Sequence, residues 1–183
     1  SNISDMNMAV ETALDMKAPF GLMNSLGVQE SLELVERYSS QHPGFPVPSC
    51  IREQASIGSA FPIPLVLRED IDGIAHVTIR RPRQLNALNQ DSFDQLEQHF
   101  QAISQDDDVI GVVLSGFGIM AFVSGADVAF LARIDSASMG EETSRKSQSS
   151  VQMIEDCPKP VVCALNGLAF GGGNEIAMAC NAR

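Results

Sequence analysis

From residue 65 onward the apolar positions change period several times, and each change marks an element. Residues 65–69 and 74–80 are rich in aliphatic and β-branched side chains, with the turn former Asp-Gly between them. They predict two strands joined through a turn at 70–73. In 91–104 the period becomes helical: Phe93, Leu96, Phe100 and Ile103 fall on one face, with Asp91 expected to cap the start. An acidic turn at 106–108 precedes an apolar run at 109–115, which predicts a buried strand. Helices are predicted near 127–134 and 140–156, a second buried strand at 160–165 and a helix at 173–180. Two strands followed by strand–helix alternation predict an α/β domain with a largely parallel sheet.

Residues 1–62 carry a different pattern. A short helix is expected at 6–16, broken by Ala18-Pro19-Phe20-Gly21. The 28–38 stretch has helical spacing, with Leu32 and Val35 inward and glutamates outward. Three prolines and a glycine in HPGFPVP (42–48) predict an irregular connector, followed by a helix at 49–57. Phe61-Pro62-Ile63-Pro64 marks a boundary, so the expected division is a helical segment over 1–62 and an α/β domain over 63–183.

Composition narrows the class. Of the 183 residues 44% are hydrophobic and 19% charged, which suits a packed globular chain. The net charge of −11 argues against nonspecific nucleic-acid binding. It also means that any phosphate contact needs a local basic patch, for which Arg80, Arg81 and Arg83 are the densest candidates; a solvated strand end is the alternative. Cys50, Cys157, Cys163 and Cys180 form neither a CxxC pair nor a ligand set. They read as buried free thiols in a reducing compartment, and a cytoplasmic location is expected. No apolar run reaches the ~18 residues of a membrane span, and the N-terminus lacks the pattern of a signal peptide. Ser1-Asn2 reads as the remnant of a cleaved tag, so a segment of a longer protein is expected.

The chemistry concentrates in VVCALNGLAFGGGNEIAMAC (161–180). Consecutive glycines let the backbone approach a ligand, and the following helix start offers unpaired N–H groups and a partial positive charge. Such a site suits an oxygen that becomes negative during reaction. Glu175 lies in the first turn of the same helix, as a candidate base or as a plain complement to the helix dipole. A second backbone turn, Gly125-Ala126-Asp127, also opens a predicted helix. Two N–H donors from two such turns are what an oxyanion hole requires.

Here the chain resembles the crotonase family, the enoyl-CoA hydratases and isomerases. Three blocks carry the resemblance in order: RRPRQLNAL (80–88), FVSGADV (122–128) and NGLAFGGGNE (166–175). The resemblance covers roughly 64–183 and implies a truncated crotonase-like fold, a ββα superhelix. It makes Gly172 and Ala126 the oxyanion-hole donors. Glu175 becomes the first of two catalytic glutamates, which favours hydration over double-bond isomerisation; the second is expected about twenty residues further on, beyond residue 183. Arg83, Gln84, Leu85 and Ala87 match the loop that lines the coenzyme A pocket, with Ala126, Asp127, Val128, Ala129 and Gly172 completing the substrate contacts. Ala129 stands where many hydratases have a lysine near the adenine. Asp127 reads as a helix-start residue, with an acid/base role as the alternative, and His76 and His99 read as structural.

APFGLMNSLGVQESLELVERY (18–38) and the proline-rich segment after it resemble a piece of the C-terminal helical domain of 3-hydroxyacyl-CoA dehydrogenases. No strand here is followed by G-x-G-x-x-G. Together the resemblances imply a segment of a bifunctional protein of fatty-acid β-oxidation that hydrates trans-2-enoyl-CoA. Hydration needs no cofactor and no metal; NAD would serve only the dehydrogenase part. The expected partners are an acyl-CoA and further copies of the chain. Within the family the alternatives are an isomerase or a thioester hydrolase; outside catalysis, the alternative is a fragment that only binds coenzyme A. A poor catalyst with an open apolar face is the expectation for these 183 residues alone.

Overall fold

The computed structural model describes residues 3–14 and 16–183, and these fall into two compact units, 1–63 and 64–183. Position 15 of the expected 6–16 helix, and Ser1-Asn2, lie outside the described residues.

The first unit holds α1 (Ile3–Ala13), α2 (Pro19–Leu26), α3 (Val28–Gln41) and α4 (Ser49–Ile57). The expected break at 18–21 is instead the start of a second helix. Proline is well placed there, because its missing N–H is one that a first-turn residue leaves unpaired anyway. Phe20, Ile51 and Phe61 form the buried centre, and the rings of Phe20 and Phe61 meet edge to face at 4.8 Å. Asn24 fixes the segment after α4 by bonding both the N–H (2.7 Å) and the carbonyl (2.9 Å) of Phe61.

The second unit opens with β1 (Val66–Ile71) and β2 (Ile74–Ile79), an antiparallel pair. Asp72 and Gly73 form the turn, both at positive φ (51° and 79°), the conformation that matches the twist of a two-residue hairpin. Helix α5 (Gln90–Ser104) follows, then β3 (Gly111–Gly116) and β4 (Ala121–Val123). Helices α6 (Val128–Leu131) and α7 (Ala137–Glu155) precede β5 (Val161–Ala164), β6 (Leu168–Ala169) and α8 (Gly172–Ala179). The main sheet runs β1-β2-β3-β5, parallel from β2 onward, and β4 and β6 form a small parallel pair. This is the mixed α/β architecture with a largely parallel sheet that the periodicity predicts.

The core lies between this sheet and α5. Ala75, Val77 and Ile79 of β2 alternate inward and meet Val112 and Leu114 of β3 and Val161 and Cys163 of β5. Phe93, Leu96, Phe100 and Ile103 are all buried, each worth about 1.5–3 kcal/mol of apolar burial. The cap of α5 is Asn89, not Asp91: Asn89 is extended, and its Oδ1 accepts from the Ser92 N–H at 2.9 Å. Asp91 lies two residues further on, inside the first turn, and is exposed. The β4–β6 pair lies in stretches that carry no strand pattern, being only three and two residues long.

Candidate functional site

Residues 80–88 leave the end of β2 and fold back on themselves. Arg80 is buried, with its guanidinium 5.2 Å from the centroid of the Phe117 ring. Pro82–Gln84 make a 3-10 turn, after which Leu85 and Asn86 both adopt positive φ (50° and 57°). Asn86 is 1% exposed. Its Oδ1 accepts from the Arg81 N–H at 3.0 Å, and its Nδ2 donates to the carbonyls of Phe117 (3.0 Å) and Ala121 (2.8 Å). One buried amide thus ties this loop to both ends of the β3–β4 connection.

Leu88 then bridges the second glycine turn. Its N–H donates to the Gly125 carbonyl, and its carbonyl accepts from the Asp127 N–H, both at 2.8 Å. In a bridged pair the neighbours of the central residue point toward the partner strand, and the central residue's own N–H points away. The Ala126 N–H is therefore turned away from Leu88. Among the described residues it donates to no backbone or side-chain acceptor.

The second donor comes from the 166–173 turn. Asn166 clamps its start: Oδ1 accepts from the Gly116 N–H at 3.1 Å, and Nδ2 donates to the carbonyls of Gly116 and Gly118. The Phe170 N–H donates to the Val123 carbonyl at 3.1 Å, and Gly171 (φ 46°, ψ −118°) reverses the chain into α8. Gly172 is the first residue of α8, so its N–H has no acceptor within the helix. No side chain caps this end.

Ala126, Gly172 and Glu175 line one cavity of about 300 Å³. Leu88, Phe93, Phe130, Leu131 and Ile134 give it apolar walls, and α7 adds Thr143, Ser144 and Ser147. Among the described residues Glu175 is the one carboxylate on its lining. The site combines two unengaged backbone donors, one carboxylate and a mostly apolar wall. Such a combination can hold a polarised carbonyl and move a proton beside it.

The remaining expected residues do not line this cavity. Arg83, Gln84 and Leu85 are exposed together on the 3-10 turn, and Val128 and Ala129 are exposed at the start of α6. Ala87 is buried, and its carbonyl accepts from Arg81. The expected basic patch is divided: Arg80 lies under the loop, Arg81 is held by Asp127 at 2.7 Å, and Arg83 is the exposed member. Asp127 caps α6 through Oδ1, which accepts from the N–H groups of Ala129 (2.8 Å) and Phe130 (3.4 Å). Its hydrogen bond from Arg81 holds its carboxyl below the usual carboxylate range. Asp127 thus serves as the N-cap of α6 while its second oxygen holds Arg81. His76 lies in β2 opposite Glu69, and His99 meets the Val66 carbonyl at 3.2 Å.

Comparison with known proteins identifies the family. The family described as Enoyl-CoA hydratase/isomerase matches residues 69–183. The chain is 37% identical over 118 residues to a short-chain-enoyl-CoA hydratase of Clostridium acetobutylicum, covering 64% of this chain and 45% of that protein. It is also 37% identical over 120 residues to the mitochondrial Delta(3,5)-Delta(2,4)-dienoyl-CoA isomerase of Mus musculus, covering 60% of this chain and 36% of that one. The crystal structure of an enoyl-CoA hydratase from Bacillus anthracis superposes with a TM-score of 0.62 at 27% identity, over 65% of this chain and 47% of that structure. The chain thus spans less than half the length of these relatives. The fold of residues 64–183 is crotonase-like, and the chain belongs to the enoyl-CoA hydratase/isomerase family.

Proposed function

We propose that the protein hydrates trans-2-enoyl-CoA thioesters to 3-hydroxyacyl-CoA. The observation that carries this reading is the shared cavity of Ala126, Gly172 and Glu175. The thioester carbonyl oxygen accepts hydrogen bonds from the Ala126 and Gly172 N–H groups. Their pull makes C3 electrophilic and stabilises the negative oxygen of the enolate, an effect worth about 3 kcal/mol per donor in comparable sites. Glu175 orients a water molecule and takes its proton as the water oxygen bonds to C3. A second acid then protonates C2, a role the resemblance gives to a glutamate about twenty residues after Glu175. This step uses neither metal nor redox cofactor. The exposed 83–85 turn and the Val128-Ala129 segment form the entry side, where the coenzyme A part of the substrate lies.

A second reading, double-bond isomerisation, uses the same cavity with Glu175 as the base. One base that removes a proton at one carbon and returns it at another is chemically complete for that reaction. The dienoyl-CoA isomerase likeness points the same way.

We further propose that the parent is a bifunctional β-oxidation protein in which residues 1–62 belong to a 3-hydroxyacyl-CoA dehydrogenase part that uses NAD. The sequence of 18–38 supports the dehydrogenase assignment, and the 35% identity over 113 residues to a fatty acid oxidation complex subunit alpha of Idiomarina loihiensis supports the fatty-acid oxidation context. A cytoplasmic homo-oligomer is the proposed working form. Among the described residues no helix is long and apolar enough to cross a membrane.

The test is crotonyl-CoA hydration by the full-length protein beside thermal unfolding. Glu175→Gln is expected to lower turnover by at least ~100-fold, the scale of a positioned acid/base, with little change in melting temperature. Unchanged turnover with a lowered melting temperature would make Glu175 a helix-dipole residue only. Conversion of a 3-enoyl-CoA in preference to crotonyl-CoA would select the isomerase reading.

A further inference from the structure

We propose that Arg81 and Asp127 form a positioning pair that fixes the direction of the Ala126 N–H. The inference rests on the reading above that Ala126 donates to the substrate oxygen. Arg81 Nη2 lies 2.7 Å from Asp127 Oδ2, and Nη1 donates to the Ala87 carbonyl. Ala87 directly precedes Leu88, and Asp127 directly follows Ala126. One guanidinium therefore spans both rails of the Leu88–Ala126 bridge, whose own bonds run from Leu88 to Gly125 and Asp127.

The pair is well shielded, with side chains 11% and 15% exposed. Asp127 is fixed from three sides: its N–H by Leu88, Oδ1 by the first turn of α6, and Oδ2 by Arg81. The Ala126 N–H shares its peptide plane with the Gly125 carbonyl, which accepts from the Leu88 N–H; that N–H in turn shares its plane with the Ala87 carbonyl that Arg81 holds, so the clamp resists rotation of the Ala126 N–H. Neither side chain lines the cavity, so the pair acts through the backbone and not by touching substrate. A planar guanidinium has donors on two nitrogens in a rigid fork and can serve both acceptors at once; an ammonium cannot reproduce that geometry. Misplacement of a catalytic donor by about 1 Å can cost on the order of 100-fold in rate.

The test compares Arg81→Met, Arg81→Lys, Asp127→Asn and the Met/Asn double variant in the full-length protein. Crotonyl-CoA kinetics are measured beside amide hydrogen exchange at Leu88 and position 127. Expected are a fall in kcat of about 10- to 100-fold with KM within about threefold, and partial recovery with lysine. The double variant should lose no more than the worse single one, since two members of one unit are not additive. Exchange at Leu88 and position 127 should quicken while the α5 amides keep their protection. Normal kcat in both Arg81→Met and Asp127→Asn, or a change confined to KM, overturns the pair even if Glu175→Gln is inactive and the hydratase reading stands. If the wild-type protein does not hydrate crotonyl-CoA, that reading fails instead. Exchange then decides the pair: unchanged rates at Leu88 and position 127 overturn it, and local quickening supports it. Loss of protection throughout the variants, α5 included, also overturns it, since the pair would then serve the whole fold.

Discussion

A Cβ built on Gly173 would stand 2.1 Å from the Val123 carbonyl oxygen. The first turn of α8 is pressed directly onto β4, and this contact sets how far Gly172 and Glu175 reach into the cavity. Gly173→Ala is expected to destabilise the protein by about 1–3 kcal/mol, the usual scale of overpacking, because a backbone atom and not a flexible side chain must give way. At Gly172 the nearest neighbour of an added Cβ is Leu88 Cδ1, at 3.5 Å. Gly172→Ala should fold normally. Urea denaturation of the two variants side by side checks the contrast, and equal stabilities would refute it.

Asn86 offers a second test of how the site is held. It is buried, left-handed, and bonded to three backbone groups on two segments. Asn86→Ala strands those groups and places alanine at φ 57°. With about 1–3 kcal/mol for each buried group left unpaired, a loss of roughly 3 kcal/mol or more is expected. Asn86→Asp restores only the acceptor, so it should recover little. Chemical denaturation of the three proteins measures this; a loss below about 1 kcal/mol for alanine would show that water replaces the amide.

Much of this architecture is legible in the chain because its signals are local. The α5 face repeats at the helical period, and Asp72-Gly73 announces its hairpin. The glycine turns before α6 and α8 are legible for the same reason: backbone donors at a helix start need only a fixed offset. What escapes the sequence is decided by partners far along the chain. The Arg81–Asp127 contact joins residues 46 apart, and β4 and β6 are too short to show a pattern until each pairs with the other. Asn89 and Asp91 are both good caps by residue type, and only the extended backbone of Asn89 decides between them. Arg80 and Arg81 look like one basic patch with Arg83 because adjacency in sequence hides the fact that each turns to a different partner.

Several apolar side chains near the C-terminal end stand open. Val162, Leu165 and Met178 are 42%, 46% and 65% exposed. Exposed apolar surface of this kind promotes association, so the 183-residue chain is expected to self-associate at micromolar concentration. Leu165→Ser with Met178→Ser should shift sedimentation toward the monomer with no loss of melting temperature. A wild-type chain that sediments as a monomer at all concentrations would contradict the proposed oligomer for this segment.

The Arg81–Asp127 pair also predicts how stability responds to acid. The hydrogen bond from Arg81 keeps the Asp127 carboxyl below its ordinary range in the folded protein. A depressed folded-state pKa contributes stability that is present above the unfolded value, near 3.9, and is lost as pH falls through the lower folded value. Asp106 is depressed in the same sense, chiefly by Arg68. Stability should therefore hold from neutral pH down to about pH 4 as far as these groups are concerned, and fall below it. Asp127→Asn removes one titrating group. Its stability should change less steeply between about pH 4 and pH 2 than that of the wild type, whatever its stability at neutral pH. Denaturation midpoints across that interval measure the two slopes. Parallel slopes would mean that Asp127 takes up its proton equally readily in the folded and unfolded chains, and that the ion pair contributes nothing to the acid limb.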